Sequence, residues 1–152
     1  MSGLPFSGMG SDESKSSTGC AESEAANRGA LGKVQAYVLA IAAGERAWDD
    51  AAAMKQEPLL ADVAPQLVRA TGSIAANIAE GYSRRSARDR IRFYEYALGS
   101  CAEAQSWYRT ARRSLSGLVY EERLACLTSI RRLLLVMIRN ERAGSAWNAK
   151  PR

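Results

Sequence analysis

Four polar side chains occur where the sequence is otherwise apolar and helical. Ser73, Asn77 and Glu80 are spaced i, i+4 and i+7, so they stack along one edge of a helix, and Glu103 follows on the next helical segment. Two carboxylates could perform acid–base chemistry or bind a di-metal centre, but di-iron bundles add histidine ligands and this chain has no histidine. We therefore predict a structural polar network that fixes helix register, with Arg131 of the last helix as its counterion.

Arginine offers a different kind of chemistry. Of the 21 cationic residues 17 are arginine, and residues 84–113 hold eight arginines against three carboxylates, a local charge of +5. Guanidinium groups bind phosphates in a bidentate manner, and a row of them on a rigid helix can follow a nucleic-acid backbone. Arg88, Arg92, Arg109 and Arg113 fall in one arc of a helical wheel. The predicted nucleic-acid-binding residues are Arg84, Arg85, Arg88, Arg92, Arg109, Arg112 and Arg113.

The high arginine content is also compatible with two alternatives. A solvated face whose charges pair with nearby Glu and Asp would give the same composition, and a GC-rich genome raises arginine over lysine. The charge is also unevenly spread, since residues 1–30 carry −2 and the remaining 122 residues carry +7. Of these possibilities we favour a nucleic-acid partner. Because no helix-turn-helix or RNP signature is present, we expect the protein to recognise the shape and the backbone of the nucleic acid and not its base sequence.

The sequence gives little support for catalysis. It contains no phosphate-binding Gly-x-x-x-x-Gly-Lys-Ser/Thr loop, no dinucleotide fingerprint and no Gly-x-Ser-x-Gly elbow. Its serines and cysteines lack the histidine that would activate them, and Cys20, Cys101 and Cys126 have no metal-binding spacing. We predict no catalytic residue, no metal site and no cofactor. No apolar run approaches the about 20 residues of a membrane span, so we expect a cytoplasmic protein with no membrane partner.

Helical periodicity predicts the elements that position these residues. Residues 1–30 are rich in Gly and Ser and are expected to be a disordered tail, residues 31–143 a four-helix bundle, and residues 144–152 a flexible C-terminal tail. The expected helices span about 31–54, 62–81, 86–115 and 120–142. Ser86 with Asp89 predicts a capping box at the third helix, and Gly81 suits the position beyond the end of the second. Short connections favour an all-α, antiparallel up-down arrangement.

The apolar residues predict which faces are buried. They repeat at three and four along each helix. The expected inner rows are Leu31, Val34, Val38, Ile41 and Trp48 on helix 1; Val63, Leu67, Ala70, Ile74, Ile78 and Gly81 on helix 2; and Leu124, Leu127, Leu134 and Ile138 on helix 4.

Helix 3 has two such rows. One is Ile91, Tyr94, Leu98, Cys101, Tyr108 and Leu115, and the other is Phe93, Ala97, Ser100, Ala104, Trp107 and Ala111. Two rows indicate burial on two sides. Either the monomer buries one wide face, or the second row contacts another copy of the chain. We favour a homo-oligomer with an interface at Phe93, Ala97, Ser100, Ala104 and Trp107.

The same segment resembles the four-helix-bundle family of 23S rRNA intervening-sequence proteins. The matching positions are Gln66, Leu67, Arg69, Ala70, Ser73, Ile74, Asn77, Ile78, Ala79, Glu80, Gly81, Arg84, Ser86, Arg92, Phe93, Ala97, Gly99, Ser100 and Glu103. The chain departs from the family at Ala75, where proline is common, and in the turn over residues 114–118. Neither departure threatens the fold.

The resemblance implies a basic up-down bundle that assembles into a ring, typically a pentamer. It also implies similarity to the accessory variability determinants of diversity-generating retroelements, which support a reverse transcriptase and its template RNA. Two functions follow as expectations. The first is a non-enzymatic, oligomeric accessory protein that binds nucleic acid, with RNA favoured over DNA. The second is a protein-interaction ring that binds and supports a reverse transcriptase.

Overall fold

The computed structural model describes residues 30–148, and within them the chain forms four α-helices and no strand. The helices are α1 (Gln35–Met54), α2 (Val63–Ser83), α3 (Ala87–Thr110) and α4 (Gly117–Asn148). Short 3₁₀ turns at Pro58–Leu60 and Arg112–Ser114 lie in two of the connections. The all-helical prediction is confirmed. Residues 1–29 of the predicted N-terminal tail lie outside the part of the chain that the structure describes.

Several helix boundaries differ from the predicted ones, most of all the ends of α3 and α4. α3 ends at Thr110, and the chain tightens into the 3₁₀ turn before α4 begins. α4 continues to Asn148, past the predicted end at Arg142 and into the segment predicted as a C-terminal tail. Just before this extension, ion pairs join α4 to α3, with Arg90 Nη2 2.8 Å from Glu141 Oε2 and Arg142 Nη2 2.9 Å from Glu95 Oε1.

The predicted cap at the start of α3 is confirmed for Ser86, whereas Asp89 contacts the Ser86 hydroxyl and not its backbone N–H as in a full capping box. The Ser86 hydroxyl oxygen accepts a hydrogen bond from the Asp89 backbone N–H at 3.1 Å, and the hydroxyl donates to Asp89 Oδ2 at 2.7 Å. The cap satisfies an amide that has no partner within the helix. It therefore fixes where the chain leaves the α2–α3 connection and enters α3.

Each helix packs on the one before it, and contact between α1 and α4 closes the bundle. The first turns of α3 meet the last turns of α4, because Arg90 pairs with Glu141. The last turns of α3 meet the first turns of α4, where Tyr108 and Arg123 share Asp50 as partner. These pairings make α3 and α4 antiparallel, as short connections predict.

The core confirms the predicted inner faces of α2 and, in part, of α4. Leu67, Ile74 and Ile78 are fully buried in α2, while Val63 is half-buried. On α4 the buried row is Leu127, Ile130, Leu134 and Ile138. Arg131, predicted to lie in register with this row, is exposed because Ile130 occupies the inward position.

The predicted inner face of α1 is wrong beyond Leu31 and Val34. α1 meets the core through alanines, since its buried residues are Ala36, Ala40, Ala43, Ala47, Asp50, Ala51 and Met54. The larger apolar residues Val38, Ile41 and Trp48 lie on the opposite side and are 43%, 40% and 66% exposed. Small side chains let α1 approach the bundle closely, so the bulkier residues are left facing outward.

Gly81 lies inside α2 rather than beyond its end. A Cβ atom at this position would lie 2.7 Å from Cε1 of Tyr94 and 3.1 Å from Cβ of Phe93. Glycine therefore permits the close approach of α2 and α3 at the point where the two helices diverge into their connection.

Candidate nucleic-acid interface

All seven arginines predicted to bind nucleic acid are exposed, but they form two groups rather than one ladder. We call Arg84, Arg85, Arg88 and Arg92 the corner group, because they surround the α2–α3 connection. We call Arg109, Arg112 and Arg113 the tip group, at the end of α3 and in the 3₁₀ turn that follows. Arg113 was predicted to lie on the third helix, but it belongs to the 3₁₀ turn after α3. Arg88 and Arg109 are separated by about 30 Å along α3 at 1.5 Å per residue.

Most of these arginines lack a carboxylate partner among the described residues. Arg84 pairs with Glu80 one turn back on the α2 side. None of the salt bridges formed within residues 30–148 involves Arg85, Arg88, Arg92 or the tip group. Their charge is therefore not neutralised within that part of the chain, which weighs against a surface of internally paired charges.

The face of α3 between the two groups carries one carboxylate, followed by small residues. Glu95, Gly99, Ala102 and Ser106 lie along it, within about 40° of Arg88 around the helix at 3.6 residues per turn. A Cβ at Gly99 would have no neighbouring heavy atom within 4 Å, so the space outside this face is open. The two carboxylates nearby are engaged, Glu95 with Arg142 and Glu103 with Arg69 at 3.6 Å. A broad partner can thus approach the α3 backbone between two sets of arginines.

The predicted polar network does not form as one unit. Asn77 Nδ2 donates to the Ser73 backbone carbonyl at 2.8 Å, a bond within α2. Glu80 pairs with Arg84, whereas Glu103 pairs with Arg69 and accepts from Trp107 Nε1 at 3.3 Å. Arg131 is exposed and pairs with neither carboxylate. These polar residues therefore make separate contacts at the bundle surface, because each of the two carboxylates pairs with a different nearby arginine.

The charged residues that do meet in the interior were not predicted. Arg123 Nε lies 2.8 Å from Asp50 Oδ2, and the two side chains are 13% and 9% exposed. The Tyr108 hydroxyl donates to the same Asp50 oxygen at 2.8 Å. Burial and the bond to Asp50 raise the pKa of Tyr108, and the bond to Asp50 raises the pKa of Arg123. The three residues join α1, α3 and α4 through one buried set of hydrogen bonds.

The two rows on α3 are accounted for by packing within one chain. α3 packs on both α2 and α4, so it needs a buried face toward each. Ala97 and Ala104 are fully buried within one chain and have no surface left for another copy, which corrects their assignment to an oligomer interface. Phe93, Ser100 and Trp107 are half-buried and keep part of their surface.

A larger apolar surface lies on α1. Val38, Ile41 and Trp48 follow one another at three and seven residues, opposite the alanine face, and Ala52 continues the row. Beside Trp48, a groove between α1 and α2 is lined by Ala51, Ala52, Lys55, Ala64, Pro65, Val68 and Arg69. An exposed heptad-like row beside an apolar groove is typical of surfaces that contact another protein.

The described part of the chain holds neither a cluster of metal ligands nor a membrane-spanning helix. No group of three or more Asp, Glu or Cys side chains converges there to form a metal site. No helix in that part is both long and apolar enough to cross a bilayer.

A family model described as 23S rRNA-intervening sequence protein matches residues 33–138, which include all of α1, α2 and α3 and most of α4. The chain belongs to this family. The match confirms the resemblance carried by residues 66–103. No curated protein matches the chain significantly.

One solved structure shares the fold of this 23S rRNA-intervening sequence protein. It is a protein of unknown function from the S23 ribosomal protein family of Bacteroides thetaiotaomicron, with 24% sequence identity and a TM-score of 0.64. The alignment covers 68% of this chain and 97% of the other. The similarity extends the architecture to a second protein and does not assign a partner.

Proposed function

We propose that this protein is a non-enzymatic accessory protein that binds structured RNA along the outer face of α3. The observation that supports this proposal is the arrangement of six exposed arginines, without carboxylate partners in residues 30–148. They lie on either side of a stretch of helix where Glu95 is paired with Arg142 and the other outward residues are small. The separation of the two groups, about 30 Å at 1.5 Å per residue, is comparable with one helical turn of a nucleic-acid duplex, which is about 34 Å in B-form DNA. A duplex lying along α3 would present phosphates to both groups.

The arginines set the expected salt dependence. Each phosphate contact releases about one counterion and changes the slope of log Kobs against log salt by about −0.9. Six contacts would give a slope of about −5. Recognition of this kind acts through backbone shape, so one RNA duplex is expected to bind about as well as another of the same length.

The test is binding of a fluorescent RNA duplex by the full chain over a range of salt concentrations. The triple variant Arg88→Glu, Arg92→Glu and Arg109→Glu is expected to lose binding at salt concentrations where the unsubstituted protein binds. The matched control is the triple variant Arg131→Glu, Arg132→Glu and Arg139→Glu, because it makes the same charge change on the exposed side of α4. It is expected to weaken binding far less. Salt-insensitive binding, or none to RNA or DNA at low salt, would refute the proposal.

We also propose that copies of the chain assemble into a ring through the outer face of α1. The exposed Val38, Ile41 and Trp48 support this proposal, and the family resemblance favours five subunits. The test is mass by light scattering at micromolar concentration. Val38→Ser with Trp48→Ser is expected to reduce the measured mass of the assembly. The variant Phe93→Ser with Trp107→Ser tests instead whether the exposed part of the second row on α3 contributes to the interface. A monomeric mass for the unsubstituted protein would refute the assembly.

The same α1 surface supports a second candidate function, a module that binds a protein such as a reverse transcriptase. Exposed apolar residues beside a groove are suited to a protein partner, whereas the arginines are suited to phosphate. Pull-down after nuclease treatment separates the two functions. Retention of a reverse transcriptase after nuclease, with loss on Trp48→Ser, would favour the protein partner.

A further inference from the structure

Two aromatic rings and two arginines meet where α2 gives way to α3. The Arg84 guanidinium lies 5.0 Å from the centre of the Phe93 ring. Arg92 lies 5.8 Å from the same ring and 5.6 Å from that of Tyr96. The two rings are themselves edge to face, with centroids 5.8 Å apart. We call these four residues the arginine–aromatic corner.

The corner is held in place from several sides. Arg90 Nη1 donates to the backbone carbonyls of Arg84 and Arg85, at 3.0 and 2.7 Å, which fixes the connection between the helices. Arg90 is itself anchored by Glu141 of α4. Beneath the rings, Gly81 allows Phe93 to lie against the α2 backbone. A surface ordered in this way loses little conformational entropy when a ligand binds.

The exposed part of the corner is aromatic and cationic. Half of the Tyr96 surface is open to solvent, at 50%, and Arg92 lies over its ring. Arg85 in the connection and Arg88 in the first turn of α3 are both exposed and form no salt bridge within residues 30–148. Aromatic rings and guanidinium planes are the groups on which unpaired bases stack, and neighbouring cations bind the phosphates between those bases.

The tip group differs in this respect. Arg112 also lies 5.0 Å from an aromatic ring, that of Tyr120, but Tyr120 is only 8% exposed and belongs to the core. A base has no ring surface to stack on there. The two arginine groups are therefore equivalent toward phosphates and unequal toward bases.

We propose that the arginine–aromatic corner binds an unpaired nucleotide, whose base stacks on Tyr96 and Arg92 while Arg85 and Arg88 contact the adjoining phosphates. Bases inside a duplex have both faces covered by their neighbours, so a ring on the outside of a helix can stack only on a base that is unpaired. This inference rests on the proposed RNA-binding function. It adds that the preferred RNA carries a loop, bulge or single-stranded end next to its duplex.

The experiment compares two RNA probes with the full chain. One is a hairpin with an unpaired uridine-rich loop, and the other is a blunt duplex with the same number of phosphates. Tyr96→Leu is expected to weaken hairpin binding about 5- to 150-fold, the range for loss of one stacked base, and to leave duplex binding unchanged. Tyr96→Phe keeps the ring and is expected to bind both probes as the unsubstituted protein does.

The outcomes separate this inference from the proposed function. The inference would be overturned if Tyr96→Leu and the unsubstituted protein bound the hairpin with equal affinity. In that case the RNA-binding proposal would still stand, provided that binding depends on salt and is lost in Arg109→Glu. Binding of neither probe at low salt would overturn both. Should Tyr96→Leu fail to fold, cross-linking of the unsubstituted protein to a 5-iodouridine in the loop decides the matter. A cross-link at Tyr96 or Phe93 supports stacking, and cross-links confined to other residues refute it.

Discussion

Replacing Arg123 with methionine removes the positive charge that lies against Asp50 in the interior of the bundle. Arg123 contacts both Asp50 oxygens, at 2.8 and 3.2 Å, and the Asp50 side chain is only 9% exposed. The variant keeps a long apolar side chain but leaves a buried carboxylate with Tyr108 as its remaining partner. Breaking a buried pair in this way costs about 3–5 kcal/mol, so the free energy of unfolding is expected to fall by that amount.

The assay is urea unfolding followed by far-UV circular dichroism. Glu122→Gln is the control for the other contact of Arg123, at 3.3 Å. Glu122 is half exposed, so its loss is expected to cost less than about 1 kcal/mol. The double variant Asp50→Asn with Arg123→Met removes both charges and keeps an oxygen that accepts the Tyr108 hydroxyl. It is expected to recover most of the lost stability, because neither an unpaired charge nor an unpartnered hydroxyl remains at this position in the interior.

Two results would refute this reasoning. If Arg123→Met costs less than about 1 kcal/mol, the pair behaves like a surface ion pair despite its burial. If the double variant loses the sum of the two single losses, then the residues contribute independently, and the contact between them carries no coupling energy.

Three further predictions concern packing, charge and pH. Gly81→Ala is expected to lower the free energy of unfolding by about 1–3 kcal/mol, because the added methyl group overpacks against Tyr94. Gly72→Ala, with no neighbouring atom within 4 Å, is expected to be neutral or stabilising. Thermal denaturation compares the two variants, and equal melting temperatures would contradict the clash at Gly81. Ala102→Glu is expected to weaken RNA binding at low salt and Ala102→Gln much less, measured by fluorescence anisotropy; equal effects would mean that size rather than charge matters. Burial raises the pKa of Cys101 from 9.0 to about 12, so the folded state keeps a proton that the unfolded chain loses, and stability falls as pH rises through this window. Cys101→Ala is expected to flatten that fall in chemical unfolding at several pH values, and an unchanged slope would count against it.

Much of the fold could be predicted because the helical repeat is strong in α2, α3 and α4. Leu67, Ala70, Ile74 and Ile78 recur at three and four, and a helix with such a row has one face to bury. The Ser86–Asp89 cap indicated the start of α3 equally well, since capping depends on residues close in sequence. Both features are local.

The inner face of α1 could not be predicted from side-chain size. Val38, Ile41 and Trp48 are the bulkier residues, yet close helix packing favours alanine. The alanines carried a usable signal, since Ala36, Ala40, Ala43 and Ala47 recur at four and three, and Asp50 continues the same row. Extending that row would place a carboxylate in the core and require a partner for it.

The interface residues were harder to assign. The identity of the exposed arginines could be predicted from charge, but their division into two groups depends on where α3 ends. Contact between Arg92 and Tyr96 lies within one helix and follows from i, i+4 spacing. Contact between Arg84 and Phe93 depends instead on the path of the α2–α3 connection, which spacing alone does not determine.

The alanine face of α1 has a consequence for how firmly that helix is held. Each buried alanine brings a single methyl group to the core, worth about 0.8 kcal/mol, whereas the leucine and isoleucines of α2 bring several carbons each. α1 is therefore the helix that local opening reaches most easily. Any partner that covers Val38, Ile41 and Trp48 binds the closed helix and not the open one, so it raises the free energy of opening. In the proposed ring, the order of α1 and the occupancy of its outer face would form a single equilibrium, set by protein concentration.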